Sequence, residues 1–250
     1  MASAPAGAYP ARFFEAQLAF ARRVAEITAQ SFAEAALQVT ALYRILGLDP
    51  PFDPAQPIWS KFANLLEATT PIQTLAGQVR AFYLARFDQI PQMSANRHWG
   101  CFAFDQDITS HHVRLHFSQQ DKSGLGPLSR ERMAVRLAEL RAMFGHIHET
   151  VQGAQQVRGG SWLYNREAYT RLFPPSFGAS AEVDRPHYQF RGLWGQFLRF
   201  DLAPNDILME TFLERVKRLH MEKDMASCFP YQSLITLAPL NDFYSFYELL

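Results

Sequence analysis

Between Arg12 and Leu46 the chain has no proline or glycine, and Phe14, Leu18, Ala21, Ala25, Thr28, Phe32, Ala35, Val39, Leu42 and Leu46 recur at steps of four and three. That period predicts one continuous helix over 12–46. Gly47 and then Pro50 and Pro51 supply its stop signal. Residues 49–57 carry too much proline for helix or central strand. A short helix is predicted over 58–68, with Trp59, Phe62, Leu65 and Leu66 inward. Another follows Pro71 as far as about Gln89.

The pattern changes after Pro91. His98–Asp105 is aromatic and strand-like, and 105–110 reads as a turn. From His111 to Ser118 the chain alternates: Val113, Leu115 and Phe117 fall on one face, His112, Arg114 and His116 on the other. A β-hairpin over 96–118 follows. Beyond it come a glycine-containing loop and a helix from Ser129 to about Glu149, with Met133, Leu137, Leu140, Phe144 and Ile147 inward. A strand is predicted at 157–164, a short helix at 165–173, and a strand or bent strand pair at 187–200, with Gly192 and Gly195 as bends. A helix over 206–223 and a strand in the Ser233–Ala238 stretch complete the reading. The fold class is α+β. A loose tail over 1–11 and an all-helical unit over 12–92 precede a mixed α/β domain over 93–250, with about six strands.

Composition narrows the function classes. The chain has 250 residues, 48% hydrophobic and 19% charged, enough for a packed core. Lys+Arg and Asp+Glu both number 24, so the basic excess of a nucleic-acid partner is missing. No apolar run reaches membrane-spanning length, and the start does not read as a secretory signal. Cys101 and Cys228 are too few for a disulfide framework, so a cytoplasmic protein with reduced thiols is expected. HExxH, GxSxG, Walker A, paired CxxC and GxGxxG motifs are all missing.

Three places hold candidate chemistry. The first is Ser123-Gly-Leu-Gly126-Pro-Leu-Ser129, between a strand end and a helix start, where backbone N–H groups suit a phosphate and Lys122 adds charge. The alternative is an ordinary connecting loop. The second is Asp105, Asp107, His111, His112 and His116, a His/carboxylate set of the kind that holds mononuclear iron. Arg114 on the same face argues against a cation there, leaving solvated polar residues as the other reading. The third is a pair of glycine- and tryptophan-bearing segments. Trp162 and Trp194 would wall a pocket, and Arg158 or Arg191 would hold an anion, unless both tryptophans belong to the core. His146 and His148 do not share a helix face, and no metal site is assigned to them.

Residues 112–173 resemble the acetyltransferase superfamily usually called GNAT. Gly124 and Gly126 match the glycines of its Q/R-x-x-G-x-G/A loop, which follows the fourth strand and binds the pyrophosphate of acyl-CoA. Asn165 and Ala168 match the first two positions of its N-x-x-A-x-x-L-Y element after the fifth strand. Asp121 departs at the Q/R position, where a carboxylate repels pyrophosphate, and Leu172 departs at the tyrosine position. The resemblance covers about a quarter of the chain. It implies a GNAT-like sheet domain with helices packed on it and acyl transfer from a CoA or carrier-protein thioester to a small-molecule amine, with no tightly bound cofactor. Gly124, Gly126, Lys122, Ser129 and Asn165 would bind the donor, Tyr169 or Tyr164 would supply the proton, and His116, or else His112, would be the base. Trp162, Arg191 and Trp194 would line the acceptor side. The partner set is then a small molecule and, where the donor is a carrier thioester, an acyl carrier protein, with no nucleic acid or membrane.

Two other function classes remain open. One is a non-enzymatic binding or assembly protein, homodimeric through the N-terminal helix; its alternative is a helix packed inside its own domain. The other is a metal-dependent oxygenase built on 105–116. The acyl-transfer reading places the pocket between loop 119–128, strand 157–164 and strand 187–200.

Overall fold

The computed structural model describes residues 5, 7–48, 51–67, 70–90, 97–107, 109, 111–184 and 191–250. In chain order the helices are α1 (Ala11–Thr28), α2 (Phe32–Val39), α3 (Leu42–Ile45), α4 (Pro57–Leu66), α5 (Ile72–Leu84), α6 (Met133–Thr150), α7 (Glu167–Thr170), α8 (Pro175–Ala179), α9 (Asp206–Lys217) and α10 (Leu240–Phe246). The strands are β1 (Phe102–Asp107), β2 (His112–Phe117), β3 (Gln156–Ser161), β4 (Glu182–Val183) and β5 (Leu234–Pro239). The α+β class stands, with one mixed sheet of five strands among the described residues rather than about six.

The chain divides into two compact units: 1–93 with 186–231, and 94–185 with 232–250. The helices of 191–231 therefore group with the N-terminal helices and not with the sheet. In the first unit α1 buries Phe13, Phe14, Leu18, Phe20, Ala21 and Val24 and packs against α2, α5 and α9. Its apolar stripe is covered within its own unit and is not left for a second copy. The core is aromatic. Trp194 lies 5.4 Å from Phe212 and 5.2 Å from Phe229 between ring centroids, and Phe20 lies 5.4 Å from Phe212. The Trp194 indole N–H donates to the Val39 carbonyl at 3.2 Å.

The single helix expected over 12–46 is three helices. Ala29 adopts the left-handed conformation (φ 54°) and ends α1. Ser31 then caps α2: its hydroxyl accepts the Glu34 amide, and the Glu34 carboxylate accepts the Ser31 amide. The period of apolar residues runs unbroken across this joint because both helices face one core. The strand expected at 187–200 is also corrected. Residues 191–197 form a 3₁₀ helix, with Leu193, Trp194 and Phe197 buried at helical spacing, and 187–190 lie outside the described residues.

In the second unit the sheet order is β1-β2-β3-β5-β4. The hairpin is as expected: β1 and β2 pair antiparallel from Phe102↔Phe117 to Asp107↔His112. β2 and β3, joined through α6, are parallel, and every other pairing is antiparallel. One sheet face, with Phe102, Val113, Leu115, Val157 and Ala238, buries against Leu140, Phe144 and Ile147 of α6, Phe177 of α8 and Phe243 of α10. No helix among the described residues is long and apolar enough to cross a membrane.

An alanine held at positive φ costs about 1 kcal/mol that glycine does not. Ala29→Gly should therefore stabilise the chain by about that amount, and Ser31→Ala should destabilise it by about 1 kcal/mol through the lost cap. The midpoints of urea unfolding check both.

Candidate functional site

The parallel pairing of β2 with β3 covers only His112↔Gln156, Val113↔Val157 and Arg114↔Arg158. Beyond it Leu115–Phe117 and Gly159–Ser161 run on unpaired with each other, although β2 stays paired to β1 and β3 to β5. The two strands splay at their carboxyl ends, where open sheets take ligands. A cavity of about 130 Å3 opens in the gap, lined by His116, Phe117, Gly160, Ser161, Tyr164 and Tyr169, among others. The three residues proposed as catalytic from sequence, His116, Tyr164 and Tyr169, thus meet at one place.

The two glycines of β3 do different work. A Cβ on Gly159 would collide with the Tyr164 hydroxyl and sit 2.6 Å from the Thr236 hydroxyl oxygen, whereas one on Gly160 would meet nothing within 4 Å. Gly159 lets Tyr164 fold back beneath its own strand, and Gly160 leaves the cavity wall open. Tyr169 packs 5.1 Å from Tyr164, 5.5 Å from Phe117 and 5.0 Å from Phe173 between ring centroids. Burial pushes the Tyr164 hydroxyl up to about 12 and that of Tyr169 well above the ordinary phenol value. Both stay protonated near neutral pH, so they are hydrogen-bond donors and not bases. Tyr169 is 2% exposed and wedged among rings, so its first duty is packing.

His116 is half-buried. Its Nε2 lies 2.7 Å from Asp105 Oδ2. A carboxylate there accepts Nε2–H and leaves the lone pair on Nδ1, the arrangement of an oriented base. His112 turns to the Gln156 side-chain oxygen at 2.8 Å. The imidazoles have separate partners, and among the described residues no three His, Cys, Asp or Glu side chains come together as a metal site. Both cysteines are free and buried, and burial raises both thiols, that of Cys228 to about 11. Neither is an activated nucleophile.

The glycine loop follows β2 and leads into α6 through a 3₁₀ turn, Arg130–Arg132. Gly124 needs its positive φ of 78°. The amides of Gly124 and Gly126 donate to no acceptor among the described residues, and Lys122 is exposed without a partner. Ser129 contributes its backbone, donating to the Gly126 carbonyl at 2.9 Å, and makes no side-chain cap. Asp121 faces inward instead of toward the loop's open side. Its side chain is 2% exposed and sits 2.7 Å from the Arg132 Nε and 3.1 Å from Arg136, itself 1% exposed. Hydrogen bonds from Ser123, then Arg132, hold its carboxyl well below the usual range. The repulsion expected from Asp121 is therefore cancelled by buried cations. Sequence reasoning missed Arg136, whose only signal was a charge beside the helix's apolar stripe.

No protein family, curated protein or solved structure was found to match the chain.

The remaining expected residues scatter. Both amide hydrogens of Asn165 go to the backbone carbonyls of Trp162 and Gln232, at 2.8 Å each, so it ties a turn to the start of β5 and keeps only its oxygen for a ligand. Trp162 belongs to the 3₁₀ turn over Trp162–Asn165 and is half-buried. Trp194 is buried in the core of the first unit. Arg191 belongs to that same unit, and its side chain lies outside the described residues. The pocket expected from three segments thus reduces to loop 119–128 and the splayed ends of β2 and β3. Arg171, at the end of α7, ties that helix to the loop by donating to the Leu128 carbonyl at 2.9 Å.

Two outcomes test this geometry. Gly159→Ala should destabilise the fold by about 1–3 kcal/mol, and by less in a Tyr164→Phe background, where the blocking hydroxyl is gone. The depressed Asp121 carboxyl stabilises the fold above the ordinary carboxylate range, and that contribution is lost as pH falls below about 4. Asp121→Asn should flatten the acid limb of a stability–pH curve measured by chemical denaturation.

Proposed function

We propose that the protein is an acyltransferase that moves an acyl group from a CoA or carrier-protein thioester to the amine of a small molecule. The observation that carries this is the splay of β2 from β3, the one parallel pair among the described residues, with a tyrosine-backed cavity in the gap and the glycine loop following the same strand β2. An extended pantetheine-like arm can satisfy the backbone groups that splayed strands leave unpaired. The amides of Gly124, which is exposed, and of Gly126, which is half-buried, suit the pyrophosphate together with the exposed Lys122. This arrangement supports the GNAT-like reading of the sheet unit.

In the reaction the amine nitrogen attacks the thioester carbonyl carbon. The C–N bond forms, the C–S bond breaks, and the amine proton passes to His116 Nδ1 while Asp105 holds the imidazole. The Tyr164 hydroxyl, kept protonated, donates to the departing sulfur. Tyr169 positions Tyr164 by packing against it. The reduced thiols fit a cytoplasmic setting.

Coenzyme A should protect the full chain against thermal unfolding, by about 2.7 kcal/mol at a hundredfold excess over Kd. Gly126→Val should abolish that protection by filling the loop. With an acyl-CoA and a panel of amines, His116→Ala should lower kcat by about 10²-fold or more with coenzyme A binding intact. Tyr164→Phe should lower kcat more than it raises KM. An absence of coenzyme A protection would overturn the reading.

A further inference from the structure

The outer face of the sheet carries an arrangement that the loop and the splay do not use. The β2–β3 register sets Arg114 directly beside Arg158. Val113 and Val157 are buried and both arginines are exposed, so the two guanidiniums share one face. Both line a cavity of about 480 Å3 together with Asp105, Asp107, Thr109 and His112.

Like charges directly opposite on neighbouring strands repel, and the carboxylates that share the cavity, Asp105 and Asp107, make no direct ion pair with either arginine among the described residues. Among the described residues neither guanidinium has a hydrogen bond or an ion pair. Asp105 stands opposite Arg114 on β1 but gives its carboxylate to His116. Asp107 accepts the Thr109 amide, and His112 is engaged with Gln156. Two planar forks side by side match a group that carries two negative charges on coplanar or tetrahedral oxygens.

We propose that Arg114 and Arg158 form a binding site for a small dianion, either a phosphomonoester or a dicarboxylate. Asp105 and Asp107 in the same cavity favour a ligand that also carries an amine. Asp105 borders this cavity and bonds His116 in the other, which makes the dianion the acidic group of the acceptor. That last assignment rests on the acyl-transfer reading, whereas dianion binding does not.

The test is thermal unfolding of the full chain in inorganic phosphate or in succinate, with chloride added to hold ionic strength constant. At least one of the two should raise the melting temperature saturably. A response to phosphate alone identifies the phosphomonoester, and a response to succinate alone the dicarboxylate. Arg114→Gln and Arg158→Gln should each raise the half-saturating concentration by about tenfold or more while coenzyme A protection is kept. Arg158→Lys, which retains charge but loses the fork, should fall between. A lack of any saturable shift beyond chloride overturns the proposal. So does a shift that survives in both glutamine variants, because the glycine loop or another site would then be its source. Loss of coenzyme A protection in the wild type with the dianion shift intact would sink acyl transfer and leave this site standing.

Discussion

Arg136 is a guanidinium on α6 with only 1% of its surface exposed, and three parts of the sheet unit converge on its two terminal nitrogens. A buried cation left unmatched is far more costly than one never buried. Its partners come from three separate places. Asp121 lies in the loop after β2, Glu139 is one turn further along α6, and the Cys101 sulfur precedes β1. Glu139 in turn accepts the Cys101 amide at 3.0 Å, a contact that requires Gly100, since a Cβ there would strike the Glu139 carboxylate. One charge therefore locks the start of the hairpin, the base of the glycine loop and the first turns of α6 into one body. The outward amides of the loop have a fixed footing because Asp121 is pulled in beneath them.

The splay has its own cause. A parallel ladder continues where both edges are flat and free. Here β3 passes through Gly159 and Gly160 and then turns into a 3₁₀ helix. Tyr164 returns beneath the strand, with its hydroxyl against Gly159, and Tyr169 fills the space between Tyr164 and Phe117 of β2. Two aromatic rings thus stand where the sheet floor would otherwise close. The same burial keeps both hydroxyls protonated. The wedge that separates the strands also lines the gap between them.

Much of this was legible in the residues. Alternation at 111–118 placed His112, Arg114 and His116 on the outer face, and the hairpin, α6, β3 and β5 follow their periodicities. The break after Thr28 was also visible, as Ser31 and Glu34 in capping-box spacing. The unbroken apolar period masks that signal, because helices that face one core share a period across a joint. At 191–197 the glycines suggested strand bends, yet Leu193, Trp194 and Phe197 are spaced for a helix. What the residues could not give was pairing across the fold. Asp121 reads as a repulsive charge until Arg132 and Arg136 stand beside it. Asn165 reads as a ligand until its amide is found on two carbonyls. Both errors arise from long-range contacts that local pattern does not encode.

Asp105 shows how closely the two faces of this chemistry are joined. Its neighbour in register is Arg114, yet its carboxylate goes to His116, one alternation further along β2. That choice leaves Arg114 without an ion pair beside Arg158 among the described residues and at the same time orients an imidazole that lines the splay cavity. Had Asp105 paired with Arg114, that guanidinium would no longer be open to a ligand and His116 would lose its orienting partner. A single carboxylate thus joins the two cavities of the sheet unit, bordering the arginine pair and holding the imidazole at the splay. On the proposed acyl transfer, an acceptor whose acidic group met the arginines would have its amine directed toward His116, so recognition and reaction would share one geometric constraint.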